Sequence, residues 1–204
     1  MSLIICENPD RVANKAADII RKQIAEKNFS VLGLATGNTQ LKVYEKLIAL
    51  YKKALIDFSK VRTFNLDEFL VEQNSGIKLE DPGLFKNYMN SNFFSKVNLN
   101  LENCSLLAPH VDKIEYHCNE YEKSIRAIGG IDLQLLGIGR NAHIAFNEPG
   151  SSFESRTREV FLEDSTIADT ASFFGSRKKV PASILQNHKN ITYVLDQDAA
   201  SLLA

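Results

Sequence analysis

The chain has 204 residues, 44% of them hydrophobic and 24% charged, which is enough for one well-buried domain and typical of a globular protein. A formal net charge of −1 excludes the strongly basic balance of a nucleic-acid or anionic-membrane binder. No run approaches the roughly twenty apolar residues of a membrane span.

Cys6, Cys104 and Cys118 are odd in number and widely spaced, so they point to neither a disulfide framework nor a zinc site. The start Met1-Ser2-Leu3-Ile4-Ile5-Cys6 lacks the basic region and long apolar core of a signal peptide, so a cytoplasmic protein is expected. Residues 3–6 read as a short strand. Asn8-Pro9 then reads as the N-cap and first position of a helix to about Lys27, with Val12, Ala16, Ile19, Ile20 and Ile24 on one face. Residues 31–34 form a second strand, followed by a helix from about Leu41 to Lys53 and a strand over 61–65.

The stretch from Glu68 to Pro82 is polar and aperiodic. A loop of that length in a compact domain is usually functional, a lid for example. Leu84 to Phe94 reads as a helix with Tyr88 and Phe93 packing inward. Residues 105–107 read as a short strand, and Lys113 to Ile128 as an amphipathic helix whose surface carries His117-Cys118. A strand over 131–136 and a final strand over 191–195 complete the pattern. Strands and helices alternate, which predicts an α/β fold with a parallel sheet wrapped by helices, in a single domain spanning residues 1–204.

Three of these strands end in residues that carry chemistry. Gly137-Ile138-Gly139-Arg140-Asn141-Ala142-His143 and Phe146-Asn147-Glu148-Pro149 put an amide, an imidazole and a carboxylate on one loop. Loops at the carboxyl ends of strands are where open α/β sheets bind ligands. A carboxylate five residues beyond a His can fix its tautomer and support an imidazolium. Thr36-Gly37-Asn38-Thr39 breaks a strand and restarts a helix, which leaves free N–H groups and hydroxyls suited to a phosphate. The ordinary alternative is a strand–helix turn capped by Thr39. Asp67-Glu68 after the third strand is most often a solvated turn or a helix start; beside the other two loops, Asp67 suits proton abstraction next to a carbonyl.

With these residues in view, the chain resembles the glucosamine-6-phosphate deaminases. The matching segments are 34–39, 63–69, 137–149, 151–158 and 181–188, and the string from His143 to Pro149 is the specific one. The phosphogluconolactonases share the fold and the Gly-rich turn but not Phe146-Asn147-Glu148-Pro149. The resemblance implies a three-layer α-β-α fold with a mostly parallel, Rossmann-like sheet and helices on both faces. It implies conversion of glucosamine 6-phosphate and water to fructose 6-phosphate and ammonia, with no metal and no cofactor. The implied partner is a small amino-sugar phosphate, with no nucleic acid or membrane; monomer and homo-oligomer stay open.

The resemblance also implies roles. Thr36, Gly37, Asn38, Thr39, Gly137, Gly139 and the position of Ser172 would bind substrate. His143, oriented by Asn141 and Glu148, would open the sugar ring, and Asp67 would move a proton from C2 to C1. Asn141 is Asp in some members; an amide adds no charge to support the imidazolium, so a lower His143 pKa than in an Asp variant is expected. Ser151, Ser152 and Arg158 match an effector-site pattern, but Val160 stands where a Lys is common, and the expectation is against allosteric activation.

Two departures stand out. Ser172 takes the place of an Arg that pairs with phosphate in the family. Between 175–176 and 180–181 the family has some tens of further residues, including a strand, a helix and a phosphate-binding Lys. The alternative readings are therefore a catalytically impaired sugar-phosphate-binding protein or a 6-phosphogluconolactonase-like hydrolase.

Overall fold

The computed structural model describes residues 2–71, 78, 80–152, 154–174, 179–182 and 191–201. Strand β1 (Ser2–Cys6) leads into helix α1 (Pro9–Glu26). The predicted cap is present: Asn8 accepts from the Arg11 N–H at 3.0 Å and Pro9 opens the first turn. The buried seam of α1 is Ala13, Ala17, Ile20 and Ile24, with Val12, Ala16 and Ile19 only half-buried beside it.

Next come β2 (Val31–Leu34), α2 (Asn38–Lys52), β3 (Arg62–Asn65), α3 (Phe85–Asn92), β4 (Cys104–Ser105), α4 (Ile114–Ala127) and β5 (Leu133–Gln134). The four strands form one parallel sheet in the order β4-β3-β2-β5, in which Gly33 pairs with both Phe64 and Gln134. β2 is buried at every residue, as an inner parallel strand covered on both faces must be. On one face Leu32 and Leu34 pack with Ile20, Val43, Leu47 and Phe93 from α1, α2 and the end of α3. On the other, Val31 and Phe64 pack with Leu107 and Tyr121, joined by Ile125 and Ile128. This is the three-layer α/β arrangement predicted from sequence.

The chain finishes with β6 (Arg158–Phe161), α5 (Asp164–Phe174), β7 (Lys179–Ala182) and β8 (Thr192–Asp196). β6 and β7 pair antiparallel, and β8 runs parallel to β1 from Ser2–Thr192 to Cys6–Asp196. β1 and β8 thus stand as a two-stranded sheet apart from the other four parallel strands, where one sheet was expected.

Several boundaries depart from expectation. α2 starts at Asn38 instead of Leu41, and its N-cap is Gly37, not Thr39; at φ 125° the cap position favours glycine. The strands expected over 105–107 and 131–136 pair only at 104–105 and 133–134, because the chain peels away into loops. Cys118, expected on the helix surface, is buried at 2% exposure one turn before Tyr121. β6, α5 and β7 had no counterpart in the sequence reading. Residues 72–77 and 79 of the long polar loop lie outside the described residues, as do 175–178 and 183–190.

Candidate active site

The loop from β2 into α2 holds its carbonyls inward. Tyr44 Oη donates to Ala35 O at 2.5 Å, and Tyr88 Oη, from α3, donates to Gly37 O at 2.8 Å. Between them the Gln40 amide turns its nitrogen to Thr36 O at 3.2 Å and its oxygen to the Gly137 N–H at 3.1 Å. Three successive carbonyls are thereby tied down. Among the described residues no side chain caps α2, and the first-turn N–H groups at Asn38 and Thr39 have no intrahelical acceptor, which is the usual basis of an anion site at a helix start.

β3 delivers Asp67 and Glu68, and neither lies in a solvated turn: they are 5% and 1% exposed. Glu68 Oε1 accepts from the Phe69 and Phe85 N–H groups at 2.8 and 2.9 Å, and Oε2 from the Lys86 N–H at 2.9 Å, so it caps the start of α3. Asp67 Oδ1 has no hydrogen-bond partner among the described residues. Burial, and then the neighbouring Glu68, push the Asp67 carboxyl up from its ordinary 3.8 to about 8.

β5 delivers the loop of His143, and here the backbone is unusual. Ala142, Ala145 and Phe146 have φ of 68°, 51° and 54°, left-handed values that non-glycine residues rarely adopt. Three contacts keep the loop in place. The Phe146 ring, 7% exposed, packs with Phe69 and Phe85. Asn147 Nδ2 donates to Ile144 O and Ala145 O at 2.9 and 3.2 Å, and the Gly139 N–H donates to His143 O at 2.8 Å. A Cβ at Gly139 would fall inside the imidazole, and one at Gly137 inside the Gln40 amide, so a larger residue at either position would push that side chain from its place.

The protonation of His143 follows from its neighbours. Asn141 Nδ2 donates to Glu148 Oε2 at 2.7 Å, and a carboxylate only accepts, so this fixes the amide's orientation. Asn141 Oδ1 therefore faces His143 Nδ1, at 2.7 Å, and Nδ1 carries the proton. Nε2 is left with its lone pair. Glu148 itself is 3.8 Å from Nδ1 and works through Asn141, while Thr166 Oγ1 sits 3.3 Å from Nδ1. Burial lowers the His143 pKa from 6.5, against smaller upward pulls from Glu148, Asp169 and Glu163. The ordinary order is inverted: burial raises the carboxyl of Asp67 and lowers the imidazole of His143, so the carboxyl titrates above the imidazole.

The sequence-predicted groups thus gather at the carboxyl ends of β2, β3 and β5. The N–H groups of Gly137 and Gly139 are already used within the protein. Ser172 falls in α5, with its side chain outside the described residues. Arg158 donates to Asn147 Oδ1 at 2.9 Å and to Ser151 Oγ at 3.1 Å, so it braces the His143 loop; Ser152 Oγ accepts the Glu154 N–H. Gln40, Thr166 and the capping role of Glu68 escaped the sequence reading. Only Gln40, three residues after Gly37, had a local signal.

A family model described as glucosamine-6-phosphate isomerases/6-phosphogluconolactonase matches residues 7–190. The chain belongs to this family. Among members of the glucosamine-6-phosphate isomerase/6-phosphogluconolactonase family, a glucosamine-6-phosphate deaminase from Clostridium botulinum (strain Loch Maree / Type A3) is 38% identical, with 100% of this chain and 99% of the relative covered. Another from C. botulinum (strain Alaska E43 / Type E3) is 39% identical over 100% of this chain and 97% of its own. The first alignment runs over 246 positions against 204 residues, so 42 of its positions have no counterpart in this chain. A solved monomeric glucosamine-6-phosphate deaminase superposes with a TM-score of 0.92 at 31% identity, covering 99% of this chain and 100% of that one. A 6-phosphogluconolactonase from Thermotoga maritima superposes at 0.67 with 22% identity, over 96% of this chain and 82% of that one, and shares the fold.

Proposed function

We propose that this chain isomerises and deaminates glucosamine 6-phosphate, giving fructose 6-phosphate and ammonia. The observation that carries the reading is a buried Asp67, whose Oδ1 has no partner among the described residues, together with a His143 ring whose Nδ1 faces Asn141 and leaves Nε2 its lone pair. The substrate's phosphate would lie on the N–H groups at the start of α2. His143 Nε2 would take the proton of the anomeric hydroxyl and return it to the ring oxygen, opening the ring. The Asp67 carboxylate would remove the C2 proton and return it to C1, while O1 gains a proton and the amine nitrogen loses one, which leaves a hydroxyl at C1 and an imine at C2. Water then adds at C2 and ammonia departs, so nothing is oxidised or reduced overall.

Asp67 also separates this reading from lactone hydrolysis, which needs no base at C2. The free cysteines support a cytoplasmic setting. The deciding experiment is coupled detection of ammonia and fructose 6-phosphate from glucosamine 6-phosphate, with a phosphogluconolactone as the competing substrate. Equal amounts of both products, lost in Asp67→Asn, support the proposal; lactone turnover without ammonia rejects it.

A further inference from the structure

We propose that Gln40 is a positioning residue which sets the distance between the phosphate turn and the His143 loop; this rests on the deaminase reading above. β2 and β5 pair through Leu32–Leu133 and Gly33–Gln134, and the last backbone bond between them runs from the Leu135 N–H to Gly33 O at 2.9 Å. Beyond it the two chains diverge, one into α2 and the other toward His143. The Gln40 side chain enters this opening and bonds to Thr36 O on one side and the Gly137 N–H on the other. It acts as an inserted peptide group, one donor and one acceptor at a fixed span, and it continues the ladder where the strands have parted.

The surroundings fit this role. Gln40 is 5% exposed, so it is not offered to solvent. Glycine at 137 leaves room for the amide where any Cβ would displace it. A carboxylate in its place would confront the Thr36 carbonyl, and an ammonium would confront the Gly137 N–H, so the amide is the group that satisfies both ends. A sugar phosphate spans the two loops, phosphate at one end and reacting carbons at the other, whereas inorganic phosphate occupies the turn alone. The distance set by Gln40 therefore matters to the sugar phosphate and not to the free ion.

The test compares wild type with Gln40→Met, Gln40→Asn (amide retained, one methylene short), Gly137→Ala and the Gln40→Met/Gly137→Ala double variant. Ammonia release, competitive inhibition by inorganic phosphate and thermal unfolding are followed for each. The expected result is a loss of about 10-fold or more in kcat/KM, carried mainly by kcat, with the phosphate inhibition constant within about twofold of wild type. The double variant should be no worse than the weaker single, because both act on one contact. An unchanged kcat/KM in folded variants, or phosphate inhibition that weakens in step with it, overturns the assignment. Should the wild type release no ammonia, the deaminase reading falls by itself. The positioning role is then read from affinities: Gln40→Met should erase the advantage of fructose 6-phosphate over inorganic phosphate, and an undiminished advantage rejects it.

Discussion

Asp67 and Glu68 are consecutive, both buried, and opposite in their bonding: Glu68 accepts three backbone N–H groups, while Asp67 Oδ1 accepts none among the described residues. One carboxylate holds structure, and the other is the base in the proposed reaction. Glu68→Ala strands the Phe85 and Lys86 N–H groups, and a loss of about 3 kcal/mol in urea unfolding is expected. A loss below about 0.5 kcal/mol would show that the cap is dispensable.

Asp67 ties stability to pH. The folded protein holds this proton to about pH 8, whereas an unfolded carboxyl releases it near 3.8. Stability from this group is thus greatest below the unfolded value and declines as pH rises through about 8. Thermal scans between pH 5 and 8 should show that decline, and Asp67→Asn should flatten it. The same substitution should cut turnover about 10²- to 10⁴-fold, and a Tm profile identical to wild type would reject the buried proton.

Burial holds the imidazole's pKa down, and a charge at position 141 would oppose it. Asn141→Asp puts a charge 2.7 Å from His143 Nδ1, so the imidazole pKa should rise by about one unit. The new carboxylate also faces Glu148 Oε2 at the same distance, so stability should fall at neutral pH. NMR titration of the imidazole checks the first effect, and an unmoved ring would show that Asn141 does not control it.

The left-handed residues beside His143 offer a stability test that leaves the reacting groups intact. Ala145→Gly removes the Cβ penalty at φ 51° and should stabilise by about 0.5–1 kcal/mol in denaturant unfolding. Destabilisation would mean that the loop gains more from the methyl than it loses in backbone strain.

What the sequence made legible was local. Asn8-Pro9 announces α1 because the cap and the first turn are neighbours in the chain, and Asp67, Asn141, His143 and Glu148 stand in short motifs. What it hid depends on distance in space. Thr166 reaches Asn141 from 25 residues away, and Gln40 meets Gly137 from the next strand's loop; no periodicity encodes either. The start of α2 was misread because Thr39 is a good cap in general, while only Gly37 tolerates the φ at that place. The division of the sheet was illegible too, since β1 and β8 read like any other strand pair.

That division bears on how the molecule moves. The strands β1 and β8 hold the two ends of the described chain against each other, and none of the groups assigned to proton transfer or phosphate contact stands on them. The ends can open and reclose on their own schedule while Asp67, His143 and the α2 turn keep their places. Amide exchange should then record two tempos in one chain, a fast one at its margins and a slow one beneath the reacting groups.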